Sequence, residues 1–452
     1  MRTLIEIPPI PSSHQRARMN LEIEYARPSE IKPEPGNARV HPKAQVKQIA
    51  DSIRLNGFVN PLLVDEDHVL IAGHGRLLAA KSLDLASIPY IRLLGLSEAQ
   101  KRVLRIADNR IAQGAGWDFD LLKVELDTIA SLDVSFDLTL TGFSSPEIDR
   151  ILSESDTLDP ADNEVPALQE IAVSQVGDIW ILGDHRVGCG DCSDAAFVDA
   201  VMNGREADAA FVDPPYNIRI SGNAVSKGRH KEFVMASGEL GDAEFARLLK
   251  VWCASIVRVS RDGAVHFICM DHRHMEELLA ARREVYGARL NICVWNKSNA
   301  GMGSLYRSKH EMVAVFRVGE APNYNAVELG KNGRNRTNVW DYASVNSRRG
   351  SRRHDLDLHP TVKPAAMVAD AIRDVTRRGD LVIDTFLGSG TTLISCERIG
   401  RRFCGMDLDP TYVDVAVRRW IAMTGGNAVL AATGEDFEGR AKALATDLGK
   451  VA

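Results

Sequence analysis

The stretch "AAFVDPPYNI", residues 209–218, limits what this chain can fold into more than any other. Ala209, Ala210, Phe211 and Val212 make an unbroken apolar run, the pattern of a short buried strand. Proline lacks the amide hydrogen that a sheet ladder needs, so the strand must stop at Asp213. The stiff turn Pro214-Pro215 then holds a carboxylate at a strand tip, with Tyr216 beside it. In open α/β sheets ligands bind at strand tips.

A second strand-to-loop junction lies at "DLVIDTFLGSGTTLISCERIG", residues 380–400. Leu381, Val382 and Ile383 read as a strand that ends at Asp384. Phe386, Gly388, Gly390, Thr391 and Thr392 carry the chain through a tight turn into a helix whose N-terminus faces a ligand. A further strand, "RRFCGMDLD", ends in Asp407, at a distance typical of an acid that accepts hydrogen bonds from a ribose. No Gly-Lys-Ser/Thr follows the glycines, so a phosphate-gripping P-loop is excluded and a nucleoside-containing cofactor without phosphates is expected. The plain alternative for either junction is a tight turn capped by an acid.

The chain has 452 residues, enough for two or three domains, and its 45% hydrophobic and 26% charged composition is that of a globular protein. No apolar stretch approaches a membrane span, the first 20 residues lack the apolar core of a signal peptide, and seven scattered cysteines suit a reducing compartment. A cytoplasmic location without membrane contact is therefore expected. The net charge of −6 does not announce a nucleic-acid partner, but a local basic patch matters more than the total.

The chain is expected to divide as follows: a tail over 1–17, a small first unit over 18–95, a helical extension over 96–152, an exposed acidic linker over 153–170, a unit of alternating strands and helices over 171–424, and a peripheral appendage over 425–452. The alternation predicts an α/β fold with a mainly parallel sheet and helices on both faces. Cys189 and Cys192 form a lone CxxC with no second pair to complete a zinc set, so no metal is expected.

Taken together, these residues resemble the DNA amino-methyltransferases that use S-adenosylmethionine. Asp213-Pro214-Pro215-Tyr216 is similar to their catalytic signature, and Phe386, Gly388 and Gly390 to their cofactor loop. "HPTVKP", with His359, Thr361, Lys363 and Pro364, resembles the segment that holds the methionine end of the cofactor. Asp191 in "CGDC" falls where these enzymes approach the adenosyl group, and the catalytic motif precedes the cofactor motif, as in the beta subgroup. The resemblance implies a Rossmann-like methyltransferase over 171–424, with Asp213, Pro214, Pro215 and Tyr216 catalytic. It implies that Asp191, His359, Thr361, Lys363, Pro364, Asp384, Phe386, Gly388, Gly390, Thr391, Thr392 and Asp407 bind the cofactor. An aspartate in the first catalytic position is more typical of adenine N6 enzymes than of cytosine N4 enzymes; the cytosine reading stays open.

The partner implied is double-stranded DNA. Lys331, Arg334, Arg336, Arg348, Arg349, Arg352 and Arg353, interleaved with Trp340 and Tyr342, lie where the beta subgroup reads its target. Such a mixture suits phosphate positioning and base stacking, although a solvated charged loop would look the same. Residues 217–233 form a second basic loop directly after the catalytic turn.

Residues 31–83 resemble the N-terminal domain of ParB-type partition proteins, a small α+β fold shared with sulfiredoxin. Gly73, Gly75 and Arg76 in "AGHGR" fall on that family's phosphate loop and make a nucleotide such as CTP a candidate ligand. The alternative is a degenerate domain used for DNA contact or for forming a homodimer. No helix-turn-helix is legible after it. The competing readings for the whole are a DNA-binding factor with an inert methyltransferase half, and methylation of RNA or a small molecule.

Overall fold

The computed structural model describes residues 21–36, 39–112, 115–132, 137–153, 160–166, 168–169, 171–218, 236, 238–300, 305–327, 335–344 and 362–448. The chain forms two compact units, Met1–Ser144 and Ser145–Ala452.

The first unit contains β1 (Ile23–Ala26), α1 (Lys43–Asn56), β2 (Leu62–Val64), β3 (Leu70–Ala72), α2 (His74–Ser82), β4 (Ile88–Arg92), α3 (Glu98–Ala112) and α4 (Phe119–Leu132). Among the described residues its sheet runs β1-β4-β2-β3, with β2 and β4 parallel. Helix α1 ends at Gly57, which adopts φ 79° and whose amide closes on the Ile53 carbonyl. The core is apolar, built from Ile31, Leu62, Val64, Leu70, Leu77, Ile88 and Tyr90.

The second unit contains α5 (Ser145–Ser153), β5 (Ile179–Leu182), β6 (His185–Cys189), α6 (Ala195–Met202), β7 (Ala207–Val212), α7 (Asp242–Arg258), β8 (Ser260–Met270), α8 (Met275–Ala281), β9 (Ala288–Asn296), β10 (His310–Arg317) and β11 (Val339–Asp341). It continues with α9 (Ala365–Val375), β12 (Leu381–Asp384), α10 (Thr391–Ile399), β13 (Arg402–Asp407), α11 (Pro410–Thr424), β14 (Ala428–Leu430) and α12 (Phe437–Leu448). Among the described residues these strands form one ten-stranded sheet, ordered β11-β9-β10-β8-β7-β12-β13-β6-β5-β14.

The centre of that sheet, β8-β7-β12-β13-β6, is parallel, and antiparallel pairs extend it on either side. Strand β7 is apolar throughout its second half because both its faces are covered. Ala209 and Phe211 enter one core, while Ala210 and Val212 enter the other.

Two expected boundaries change. The stretch read as an exposed linker is in part bolted to the second unit. Just before it, Asp149 of α5 accepts from the fully buried Arg401 at 2.8 and 2.6 Å. Within it, Asp162 pairs with Arg398 at 2.8 Å, and Asn163 Oδ1 accepts from the first amide of α9 at 3.1 Å. Acidic residues between domains look solvated in sequence; here arginines far along the chain claim them. The region read as a peripheral appendage is also built in. β14 pairs with β5, and Phe437 is buried with its ring edge-on to Trp180 at 5.0 Å.

Candidate active site

Four neighbouring strands end in acids on one edge of the sheet. In spatial order they are β7 with Asp213, β12 with Asp384, β13 with Asp407, and β6 with Asp191 two residues beyond its end. Parallel pairing places these ends together, because every parallel strand carries its carboxyl end to the same side.

Asp384 is buried. Its Oδ1 accepts the Phe386 amide at 3.0 Å and its Oδ2 the Thr392 hydroxyl at 2.7 Å. Burial outweighs these bonds and pushes its carboxyl up to about 7. Asp407 accepts the Gly388 amide at 2.9 Å and the Asp409 amide at 3.0 Å, and burial pushes it up to about 6. The loop between them needs its glycines for different reasons. At Gly390, the cap of α10 with φ 80°, a Cβ would lie 2.7 Å from the Ala416 Cβ. At Gly388, with φ 49°, a Cβ would meet nothing closer than the Phe386 carbonyl at 3.9 Å, so the space above it is open. Beneath the loop, the buried Arg419 donates to the Ser389 hydroxyl at 3.2 Å and to the Asp162 carbonyl at 2.7 Å. Asp191 caps its own turn by accepting the Ser193 amide at 2.7 Å.

Asp213 is engaged on both oxygens. Oδ1 accepts the Tyr216 hydroxyl, and Oδ2 lies 2.5 Å from Lys363 Nζ. The resemblance implies a cofactor contact for Lys363; the structure seats its ammonium on the Asp213 carboxylate. Pro364, next in the chain, is the N-cap of α9, which fixes where Lys363 emerges. Lys363 also lies 3.0 Å from Glu311 Oε2 on β10, and Lys297 binds the other oxygen of Glu311. Burial opposes the Lys363 charge, but Asp213 and Glu311 outweigh it and hold the ammonium well above its ordinary value. Burial likewise works to raise Glu311, and the two lysines hold it below its ordinary value. Burial, and then Asp213, raise the Tyr216 hydroxyl well above its ordinary value.

His359 and Thr361 lie outside the described residues, as do Lys331, Arg334, Arg348, Arg349, Arg352 and Arg353. Arg336 is described, and its guanidinium is engaged within the fold. It pairs with Asp374 at 2.6 Å and Asp370 at 3.3 Å, donates to the Tyr342 hydroxyl at 2.9 Å, and lies over the Trp340 ring. Two acids of α9 thus anchor it to the fold. The loop of 217–233 is described only at its start. There Asn217 donates to the Leu240 carbonyl at 2.8 Å and accepts the Gly238 amide at 3.0 Å.

In the first unit, Gly73 caps α2 with φ 101°, and a Cβ on Gly75 would lie 2.8 Å from Ile49 Cδ1. Both glycines are therefore required by packing and backbone conformation. Arg76 folds back over Gly73, and burial lowers its guanidinium. Cys189 and Cys192 are buried free thiols that burial pushes up to about 12, and among the described residues no group of His, Cys, Asp and Glu could hold a metal.

A family model described as DNA methylase, of the N6/N4 type, matches residues 207–418, from β7 through the Asp213–Tyr216 turn and the glycine loop into α11. A model described as ParB N-terminal domain matches residues 12–109. The chain carries a DNA methylase domain of the N6/N4 type and, before it, a ParB-like N-terminal domain.

A third model, described as ParB-methyltransferase HTH domain, matches residues 120–176 of this methylase. The sequence alone shows no helix-turn-helix there, and the match runs across the division between the two units. The methylase is 23% identical over 242 residues to the Type II methyltransferase M.HpaI of Haemophilus parainfluenzae, covering 50% of this chain and 72% of that one. It is 45% identical over 82 residues to the ParB-like nuclease domain-containing protein YnaK of Escherichia coli (strain K12), covering 18% of this chain and 94% of that one. A solved structure described as an M1.HpyAVI–SAM complex is similar with a TM-score of 0.39 and 20% identity, over 52% of this chain and 97% of that one. Among the described residues no helix is long and apolar enough to cross a membrane.

Proposed function

We propose that the methylase transfers a methyl group from S-adenosylmethionine to the exocyclic N6 amine of adenine in double-stranded DNA. One observation carries the reading: Asp213 is fixed at the end of β7, beside the strand that leads into the open glycine loop.

The residues present suit this cofactor. It carries positive charge, and three acids, Asp384, Asp407 and Asp191, stand at adjoining strand ends. Gly388 leaves open space on the same edge. These four residues, with Phe386, Gly390, Thr391 and Thr392, would hold the nucleoside and amino-acid parts. When bound, the cofactor supplies an electrophilic methyl group on a sulfonium.

The chain's own residues then activate the amine. An exocyclic base amine is a poor nucleophile, because its lone pair is delocalised into the ring. Asp213 accepts one amine hydrogen and the Pro214 carbonyl the other, which localises the lone pair on nitrogen. The two prolines hold both acceptors in place before the base arrives, so little reorganisation is needed during transfer. Tyr216 offers an aromatic face for the base, which must leave the duplex to reach the site at a cost of about a few kcal/mol. An aspartate at position 213 favours adenine over cytosine within this family. The arginine segment over 331–354 would set DNA affinity through phosphates.

The test is to incubate the protein with labelled S-adenosylmethionine and unmethylated DNA, digest to nucleosides and identify the labelled one. Label in N6-methyladenine supports the reading. Label in N4-methylcytosine keeps the chemistry and reverses the base, and no label on any DNA overturns the proposal.

A further inference from the structure

The transfer chemistry described above leaves a buried acid unused. Glu311 is the second residue of β10, a strand paired on both sides, so the sheet fixes its position. Its carboxylate lies between two ammonium groups. Lys297 binds Oε1, and Lys363 Nζ is 3.0 Å from Oε2. Lys297 also lies 4.7 Å above the Trp295 ring, which holds it from a second side.

The surroundings of Lys363 match its chemistry. An ammonium has three hydrogens to donate. Among the described residues Lys363 Nζ donates to Asp213 Oδ2 at 2.5 Å and to the Tyr216 hydroxyl at 3.2 Å, and stands in an ion pair with Glu311 Oε2 at 3.0 Å. A lysine side chain is long and flexible, and left alone it would not hold one end-point. Here a rigid strand supplies the anchor. Asp213, Glu311, Lys297 and Lys363 also balance as two negative and two positive charges.

We infer that Glu311 is a positioning residue for methyl transfer: from β10 it holds the Lys363 ammonium, and Lys363 holds Asp213 in the orientation that meets the amine. The inference rests on the reading of Asp213 as the amine acceptor. It also sets Lys363 apart from the residues that grip the cofactor, since its ammonium already donates to Asp213 and Tyr216 and pairs with Glu311. Without the Glu311 charge, two lysines share one acid, and the ammonium is free to pull Asp213 out of register.

The experiment uses full-length protein and compares Glu311→Gln, Glu311→Asp, Lys363→Met and the Glu311→Gln/Lys363→Met double variant. Thermal unfolding, equilibrium binding of S-adenosylmethionine and single-turnover methylation at saturating DNA are measured for each. Glu311→Gln should transfer methyl about tenfold to a hundredfold more slowly. Its cofactor affinity and its KM for DNA should stay within about twofold of the unmodified protein, and Glu311→Asp should recover part of the rate. In the Lys363→Met background, Glu311→Gln should cost nothing further, because both act through one ammonium.

An unchanged rate in Glu311→Gln overturns the inference. So does a further loss in the double variant, or cofactor affinity that falls in step with the rate. If Glu311→Gln does not fold, Glu311→Asp carries the same comparison, with a rate below that of the unmodified protein expected and an unchanged rate overturning the inference. Asp213→Ala separates the two levels. If it turns over normally, the acceptor reading has failed; if it is inactive while Glu311→Gln is normal, only the Glu311 inference has failed.

Discussion

Lys363 Nζ stands 2.5 Å from Asp213 Oδ2, although 150 residues separate them in the chain. The pair exists because β7 ends beside the start of α9, where Pro364 caps the helix. Lys363 is buried and Asp213 is partly so. Replacing Lys363 by Met leaves Asp213 without its cation, and Glu311 with Lys297 alone. Breaking a buried pair from one side typically costs about 3–5 kcal/mol. Urea unfolding of the unliganded protein should show a loss of that order; a change within error would mean that water already screens the pair.

Cofactor affinity should rise with pH. Burial pushes Asp384 up to about 7 and Asp407 up to about 6, so below these values both acids are neutral and lose their attraction for a positively charged ligand. Titrating cofactor binding between about pH 5.5 and pH 8 should show tightening across this window. Asp384→Asn should flatten the upper part of the curve. An affinity independent of pH would contradict the assignment of both acids to the cofactor.

Stability of the unliganded protein should move the opposite way. Asp384 binds its proton more tightly folded than unfolded. Its contribution is fully present below the ordinary carboxylate value and is lost as pH rises through about 7. Asp384→Asn removes that titration. At about pH 8 the unliganded variant should be at least as stable as the parent by denaturant midpoint, even though it binds cofactor less well. A clear loss of stability there would show that Asp384 is held charged.

The second unit should need residues from Ser145 onward. Arg401 is fully buried and Asp149 is its carboxylate partner, so Asp149→Ala leaves a buried guanidinium without its counter-charge, at about 3–5 kcal/mol. A chain begun at Ser145 should unfold like the second unit of the full protein, whereas one begun at Ile171 lacks Asp149, Asp162 and Asn163 and should melt earlier. Equal melting of the two would return 153–170 to the role of a passive linker.

Much of this site was legible in the sequence, for physical reasons. Proline must end β7 at Asp213, glycines must turn the chain after Asp384, and alternating strands and helices must bring those tips to one edge. The remainder was hidden because it depends on pairs that no local pattern encodes. Glu311 in "HEMVAVFR" looks like an ordinary polar residue near a strand start. Only the fold brings Lys297 and Lys363 to it. Asp162 sits in the acidic stretch read as an exposed linker, Asp149 in a segment read only as a helical extension, and neither shows in sequence that Arg398 and Arg401 claim them. Strand β14 has three residues, too few for a period to register.

The arginine segment gives a separate check on the DNA partner. Neutralising Arg348, Arg349, Arg352 and Arg353 together should weaken DNA binding and reduce the slope of log affinity against log salt by up to about 3.6, at about 0.9 for each phosphate that the protein no longer neutralises. Arg336→Ala should leave that slope unchanged, because Asp370 and Asp374 already engage its guanidinium. A slope unchanged in the fourfold variant would move the phosphate-binding surface elsewhere.

The most direct test of the central claim is the fate of Asp213→Ala. Cofactor binding and single-turnover methylation of unmethylated DNA should be measured on the same preparation. The account predicts cofactor affinity close to that of the unmodified protein and a transfer rate lower by about a hundredfold to a thousandfold or more, the scale of losing one preorganised electrostatic group. Transfer at the normal rate would contradict it.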